Sequence, residues 1–391
     1  MVALLGVGYC TLFAFYGGYG LLVQRKVAEI DPANKAFALA VVAGISALCI
    51  TVANPLGGLL SDRTKSRRGS RVPWMAGGAV TGMAAALLLI PSSSIPVVAA
   101  TACLAFATTN VFHAALAAIV PDRVPRSQRG RVSAAIGLAT VLGWILGTQV
   151  VARISEFPAL MLLGLGPVLA TVLLSLFLGA SPESDAASHS SPARLSGLLE
   201  AFDDRDFTLV FAGRALLTFS YYLVLVYLLY ILQDYVDRPS GTSGVEAVAD
   251  VVAISGGCAL LATLLGGFLG DRTHRYRFLA LVGGGVGAVA LLIPLLSNTW
   301  SAFAVFAAVQ GLAIGVYYAA DTALATLVLP SSGSAGRDLG ILNIAASGPP
   351  VFAPFAAALI VNSAGYGSLF TVASAGALIG AVAILGVRRV R

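Results

Sequence analysis

Arg214, Thr218 and Tyr221 recur at helical offsets of four and seven, one stripe of a single helix. Gln310, Tyr317 and Asp321 form a second stripe at offsets of seven and eleven, bordered by Tyr318. Asn110 and His113 are three apart and share a helix side, and Tyr9, Phe13 and Tyr16 stay in register on another helix. All of these sit inside long apolar runs, where ionisable and polar side chains are costly and mark function by default. A carboxylate and an imidazole can exchange protons, hydroxyls and amides can bind a polar solute, and aromatic faces can stack on one. The same residues also fit a plainer role: Arg214 and Asp321 as an ion pair holding two helices together, His113 as a packing residue. Enzyme chemistry finds no footing. Cys10, Cys49, Cys103 and Cys258 each stand alone, without metal-ligand spacing, and no nucleophile elbow or phosphate-cradling loop is present. No metal and no cofactor are expected.

The elements that must carry these stripes follow from composition. Hydrophobic residues make up 58% of the 391 positions, mean hydropathy is +0.89, and glycine is abundant at 43 residues. Soluble domains are about 45–50% apolar. Runs of this length cross a hydrocarbon core of roughly 30 Å as helices, and small residues let such helices approach closely. The spacing predicts twelve spans, near residues 3–24, 37–60, 74–91, 96–119, 132–153, 158–180, 208–231, 248–269, 278–296, 300–329, 338–362 and 365–387. The run at 300–329 exceeds what a crossing needs and is expected to tilt. No basic stretch or small-residue cleavage site marks the first run as a cleaved leader; the first span begins almost at Met1, so a cytosolic tail before it is expected to be very short or to lie outside this sequence.

Charge then orients the chain. The stretch "GGLLSDRTKSRRGSRVPW" packs Asp62 and five basic residues into ten positions of a chain that is only 11% charged. With the N-terminus inside, most of the 24 Lys and Arg fall in inner loops and tails, which places both termini in the cytosol. The net charge of +6 then faces an anionic inner leaflet, and nucleic acid is not an expected partner. A polar stretch at 181–207 divides the spans six and six. Within it, Leu195, Leu198, Leu199 and Phe202, beside Arg194, Glu200 and Asp203, predict a short amphipathic helix on the membrane surface. The expected organisation is an N-terminal half (1–180), a linker (181–207) and a C-terminal half (208–391).

An internal repeat links the halves. "GGLLSDRTKSRRGSR" corresponds to "GGFLGDRTHRYRF", setting Asp62 opposite Asp271, and "VPDRVPRSQRGR" corresponds to "LPSSGSAGRDLG", setting Pro121 opposite Pro330, both at an offset of 209. Paired repeats are a transporter architecture. On these residues the sequence resembles the major facilitator superfamily of secondary transporters, whose loop signature is met by Gly58, Asp62, Arg63, Gly69 and Arg71, with Gly267, Asp271 and Arg272 as a weaker copy. The longer form "SDRTKSRRGSRVPW", with "ADTALATLVLP" and "GRDLGILNIA", is similar to the glycoside–pentoside–hexuronide symporters and related actinobacterial-type facilitators.

The resemblance implies an all-α membrane protein with twelve transmembrane helices in two pseudo-symmetric halves, a monomer in the cell membrane. It implies that spans 1, 4, 7 and 10 line a central cavity, which puts Tyr16, Asn110, His113, Arg214, Thr218, Tyr221, Gln310, Tyr317, Tyr318 and Asp321 on a solute and proton path. It also implies a gating role for Gly58, Asp62, Arg63, Arg71, Asp271 and Arg272. Counting ~1.5 Å per residue, Arg214 and Asp321 both lie roughly 10–14 Å from the cytosolic ends, so a pair between them is open. By the repeat, His113 corresponds to position 322.

The leading expectation is proton-coupled uptake of a small polar solute such as a sugar or glycoside. One departure is that the first six spans carry no Asp or Glu, which removes the acidic cation site of the symporter subgroup and points to a coupling carboxylate in the second half. The alternative is a proton-coupled exporter of lipophilic compounds, whose Gly-Pro motif is met only by Gly137, Gly143 and Gly147. Glu246 and Asp250 are expected at an outer mouth, and Tyr222, Tyr227 and Tyr230 either as interfacial aromatic residues or as ligand contacts.

Overall fold

A computed structural model describes residues 1–64, 71–178, 200–328 and 335–388. Each of the twelve apolar runs is helical there. The first unit, residues 1–188, holds α1 (Val2–Ile30), α2 (Lys35–Arg63), α3 (Val72–Leu87), α4 (Ile95–Arg123), α5 (Arg129–Arg153) and α6 (Glu156–Leu178). The second, residues 189–391, holds α7 (Arg205–Leu225), α8 (Leu228–Asp234), α9 (Gly244–Thr273), α10 (Tyr276–Ala290), α11 (Ile293–Leu296), α12 (Trp300–Leu327), α13 (Ala335–Ser347) and α14 (Pro349–Leu385). Among the described residues, ten helices are long and apolar enough to cross a membrane. Leu176, Phe177, Leu264, Leu265, Phe268 and Leu296 stand exposed, as side chains facing lipid would.

The breaks have local causes. Gly348-Pro349-Pro350 ends α13 because proline lacks a backbone N–H and disfavours helix in the residue before it. Gly365 adopts φ +76°, a conformation L side chains rarely take, and divides α14 into two legs at the boundary between the last two runs. The seventh run breaks at Val226–Tyr227 without Pro or Gly. There the buried Tyr227 hydroxyl donates to the Pro354 carbonyl at 3.0 Å, a tertiary bond that local sequence does not announce.

Within the first unit α1 packs along α5, and α2 and α3 pack on α4. A Cβ at Gly143 or Gly147 would collide with the α1 carbonyls of Cys10 and Ala14, so these glycines let two helix backbones touch. In the second unit α12 packs along α9 by the same device, with Gly311 and Gly315 against the carbonyls of Ser255 and Ala259. Caps fix the entries: Asp204 accepts from the N–H groups of Asp206 and Phe207 at the start of α7, and Ser243 and Glu246 form a reciprocal capping box on α9.

One expectation is corrected and one is given a structural partner. Glu246 accepts from the Ser243 backbone N–H at 2.7 Å, so the carboxylate expected at an outer mouth also caps its helix. Tyr227 and Tyr230 are fully buried, ring against ring at 6.0 Å, not interfacial residues. The amphipathic helix expected around residues 194–203 lies outside the described residues up to 199. Its described end is a 3-10 turn, Glu200–Asp203, whose Phe202 packs edge-on against Phe207 and Phe211.

Candidate functional site

The second unit brings its expected site residues together. Arg214 on α7 places Nη2 3.2 Å from Oδ2 of Asp321 on α12, with the side chains 17% and 10% exposed. One turn back on α12, the Tyr317 hydroxyl donates to Asp321 Oδ1 at 2.9 Å. Both carboxylate oxygens are therefore engaged. Burying two charges costs several kcal/mol per ion before their attraction repays it, so such a pair is poor evidence for stability alone. The surrounding cluster of Phe207, Val210, Ala320, Leu324 and Ile384 holds α7 and α12 at the separation the pair needs.

Beside the pair lies a cavity of about 40 Å³. Thr218 and Tyr221 of α7, with Gln310, Tyr317 and Tyr318 of α12, line it, so five of the expected residues share one wall set. Gly283, Gly284 and Gly287 of α10 form another side. At Gly283 a Cβ would sit 2.8 Å from the Tyr317 backbone nitrogen, so glycine is what lets α10 approach α12 here. Tyr221 and Tyr222 meet edge to face at 5.6 Å. Ser220, absent from the sequence expectation, also lines the cavity. Its single hydroxyl in an apolar run gave no separate signal.

The first unit holds an aromatic counterpart without charge. His113 lies edge-on to Tyr9 at 5.7 Å and to Phe13 at 6.1 Å, and Phe13 meets Tyr16 at 5.5 Å. Asn110 is buried and its Nδ2 donates to the Phe106 carbonyl at 3.2 Å. The buried Tyr16 hydroxyl faces Thr109 and Asn110 without hydrogen-bond geometry to either.

Of the gating set, Asp62 and Arg63 end α2, but their side chains, like residues 65–70, lie outside the described residues. Arg71 donates from Nε to Asp122 Oδ2 at 3.0 Å and from Nη1 to Ser61 Oγ at 2.7 Å, tying α2, α3 and α4 at one end. Asp122 was missed by sequence reasoning, although it stands in the "VPDRVPR" landmark. Gly58 has open space at its Cβ position, whereas Gly57 would bring a Cβ to 3.0 Å from Val111 Cα of α4. The copy behaves alike: Gly267 is open, and Gly266 would meet Ala319 at 3.1 Å. Asp271 accepts from the Tyr276 hydroxyl at 3.2 Å, and Arg272 lies over the Phe268 ring at 5.0 Å. Pro330, the repeat partner of Pro121, is outside the described residues.

The sequence matches the model of the Major Facilitator Superfamily over residues 5–245 and again over 210–391. The chain belongs to the Major Facilitator Superfamily. The fungal "MFS transporter asaE" of Aspergillus flavus is 28% identical over 292 residues, covering 73% of this chain. The chain spans 58% of that protein's length. Among solved structures, the nucleoside transporter NupG superposes with a TM-score of 0.78 at 14% identity, over 99% of both chains. A bacterial homolog of the human lysosomal transporter Spinster, inward-facing and unoccupied, gives 0.71 at 15% identity, over 99% of this chain and 94% of that one. At these identities the structures show the fold alone. Membership sets this facilitator in a family of multi-pass membrane transporters, not enzymes.

Proposed function

We propose that this facilitator moves a small polar solute across the membrane by alternating access and takes it up together with protons, sugars and glycosides being the solute class. The observation that carries the reading is Asp321, a buried carboxylate held by Arg214 and Tyr317 beside a cavity lined with hydroxyl and amide groups. Protonating Asp321 removes the charge that holds Arg214, freeing guanidinium donors for a solute's acceptors. Releasing the proton restores the pair and withdraws those donors. That exchange couples proton and solute binding through one pair of residues. Within the first unit the rings of Tyr9, Phe13, Tyr16 and His113, stacked between Tyr9 and Phe13 and edge-on otherwise, are of a kind that suits contact with a sugar ring.

The solute class is further supported by the resemblance of "SDRTKSRRGSRVPW" to the glycoside–pentoside–hexuronide symporters. The reading includes two six-helix halves, 1–180 and 208–391, joined by 181–207, in a monomer without cofactor. It places the chain in the cell membrane with both termini cytosolic, which the distribution of Arg and Lys supports. Gating falls to the loop after α2, with Arg71 and Asp122 as its described tie, and to Asp271 and Arg272 in the copy.

The test uses purified protein in liposomes loaded with a pH-sensitive dye, without an imposed gradient. Interior acidification on adding a sugar or glycoside is the expected result. Alkalinisation with lipophilic cations alone would replace uptake by exchange for protons, making the protein an exporter.

A further inference from the structure

Two side chains on the cavity wall of the second unit are unaccounted for. The Ser220 hydroxyl is buried, on a residue 1% exposed, and has no hydrogen-bond partner. The Gln310 Oε1 is likewise buried and unpartnered. They belong to different helices, α7 and α12, yet line the same cavity. An orphaned buried polar atom costs about 1–3 kcal/mol, and two on one small void call for an occupant that donates to the Gln310 oxygen and pairs with the Ser220 hydroxyl. A cation is a poor fit, because the guanidinium of Arg214 is already the nearby charge and it is spent on Asp321. An apolar occupant leaves both atoms unpaired. A neutral hydroxyl satisfies both atoms: it donates to the Gln310 carbonyl oxygen and accepts from the Ser220 hydroxyl.

We propose that Ser220 and Gln310 form a hydrogen-bonding subsite for an uncharged hydroxyl group, set apart from the Arg214–Asp321 pair. Water and a solute hydroxyl share this chemistry. At about 40 Å³ the cavity has room for a few waters, one needing roughly 10–15 Å³, but not for a whole sugar. A solute therefore reaches it with one hydroxyl, and water fills it otherwise. The glycine wall keeps the space open. A methyl at Gly287 would stand 3.7 Å from the Gln310 amide and 3.5 Å from Ala313 Cβ, ordinary contacts that fill the void without a clash. Gly376 is closed to such a change, since a Cβ there would lie 2.6 Å from Ser220 Oγ. The subsite deepens the polar-solute reading by naming where a hydroxyl is read.

The experiment is millisecond hydroxyl-radical labelling of the purified full chain, read by mass spectrometry at the buried Tyr317 and at Tyr221. Gln310→Leu and Ser220→Ala remove the two orphaned atoms, and Gly287→Ala fills the space. Each is expected to lower labelling at these tyrosines, by roughly fivefold if about one net hydrogen bond is lost. Tyrosines far from the cavity, such as Tyr235, serve as internal controls for folding. Protection of wild-type Tyr317 by an added monosaccharide or glycoside, absent in Gln310→Leu, identifies a solute hydroxyl as an occupant. Labelling that falls in the variants but is insensitive to every sugar identifies water. Labelling equal in wild type and all three variants overturns the subsite. Because none of these readouts needs transport, a subsite that stands while no sugar moves protons would defeat the uptake reading alone.

Discussion

The two units carry related seams and opposite chemistry. Each joins a pair of helices through glycines whose missing side chains admit a neighbour's carbonyls, Gly143 and Gly147 of α5 against α1 in the first unit, Gly311 and Gly315 of α12 against α9 in the second. Each places a polar helix face next to such a seam. In the first unit that face is aromatic and uncharged, with His113 held between Tyr9 and Phe13. In the second it is ionic, with Arg214, Tyr317 and Asp321 closed on one another. The lesson is a division of labour: duplication supplies the scaffold twice, while a charge that must be protected from lipid needs its partners built only once.

The largest expected effect falls on the ionic face. Asp321→Asn keeps the shape but strands Arg214, and breaking a buried pair from one side costs ~3–5 kcal/mol. Proton-coupled accumulation should vanish in liposomes while the protein still inserts and is recovered from membranes. Thermal unfolding of Asp321→Asn combined with Arg214→Gln should recover much of the lost stability, since no charge is then left unpaired. Coupling should stay absent in the double variant. Coupling that survives Asp321→Asn removes this residue from the mechanism.

A smaller effect is expected at the tie between α2, α3 and α4. Arg71 is mostly buried, but Asp122 is 43% exposed, so the pair is partly screened and contributes about 1 kcal/mol or less. Arg71→Gln should therefore leave folding nearly intact and change the maximal transport rate several-fold more than the apparent KM. Raising salt should mimic part of the substitution in the wild type. Equal rates in both proteins would reduce this loop to a topology signal, as would an unaltered rate in Asp62→Asn.

His113 tests the comparison from the uncharged side. His113→Phe preserves the edge-on packing with Tyr9 and Phe13, and aromatic pairs of this kind contribute about 0.5–1.5 kcal/mol that the variant keeps. The number of protons moved per solute should be unchanged, with only the apparent affinity for solute altered. A changed proton count would place the imidazole in the coupling path and end the division of labour between the units.

The fold was highly legible because membrane helices announce themselves through long uncharged runs, and the 209-residue offset tied Asp62 to Asp271 without any structure. Stripes at helical spacing also marked Arg214, Tyr317 and Asp321, since polar residues in a hydrocarbon span have few reasons to persist. Tertiary partners were less visible. Asp122 looked like one loop charge among many until Arg71 was seen to reach it, and Ser220 looked like any small residue in a tight span. Glu246 read only as a charge near a helix start, and its second role, capping with Ser243 three residues before it, needed that spacing to be weighed.

Gly57 and Gly58 offer the most local test, because the loop signature names Gly58 while the packing singles out its neighbour. Alanine at Gly58 meets open space and gains helix propensity, so Gly58→Ala should be neutral or stabilising by up to about 1 kcal/mol. Alanine at Gly57 pushes on the α4 backbone at Val111 and should cost ~1–3 kcal/mol. The second unit repeats the experiment, with Gly267 open and Gly266 set against Ala319. Thermal unfolding of the four single variants should thus rank the first glycine of each pair as the sensitive one. A reversed order would show that the open space beside Gly58 and Gly267 is used in another conformation of the transport cycle, which would return the signature glycine to gating and leave packing to explain only its neighbour.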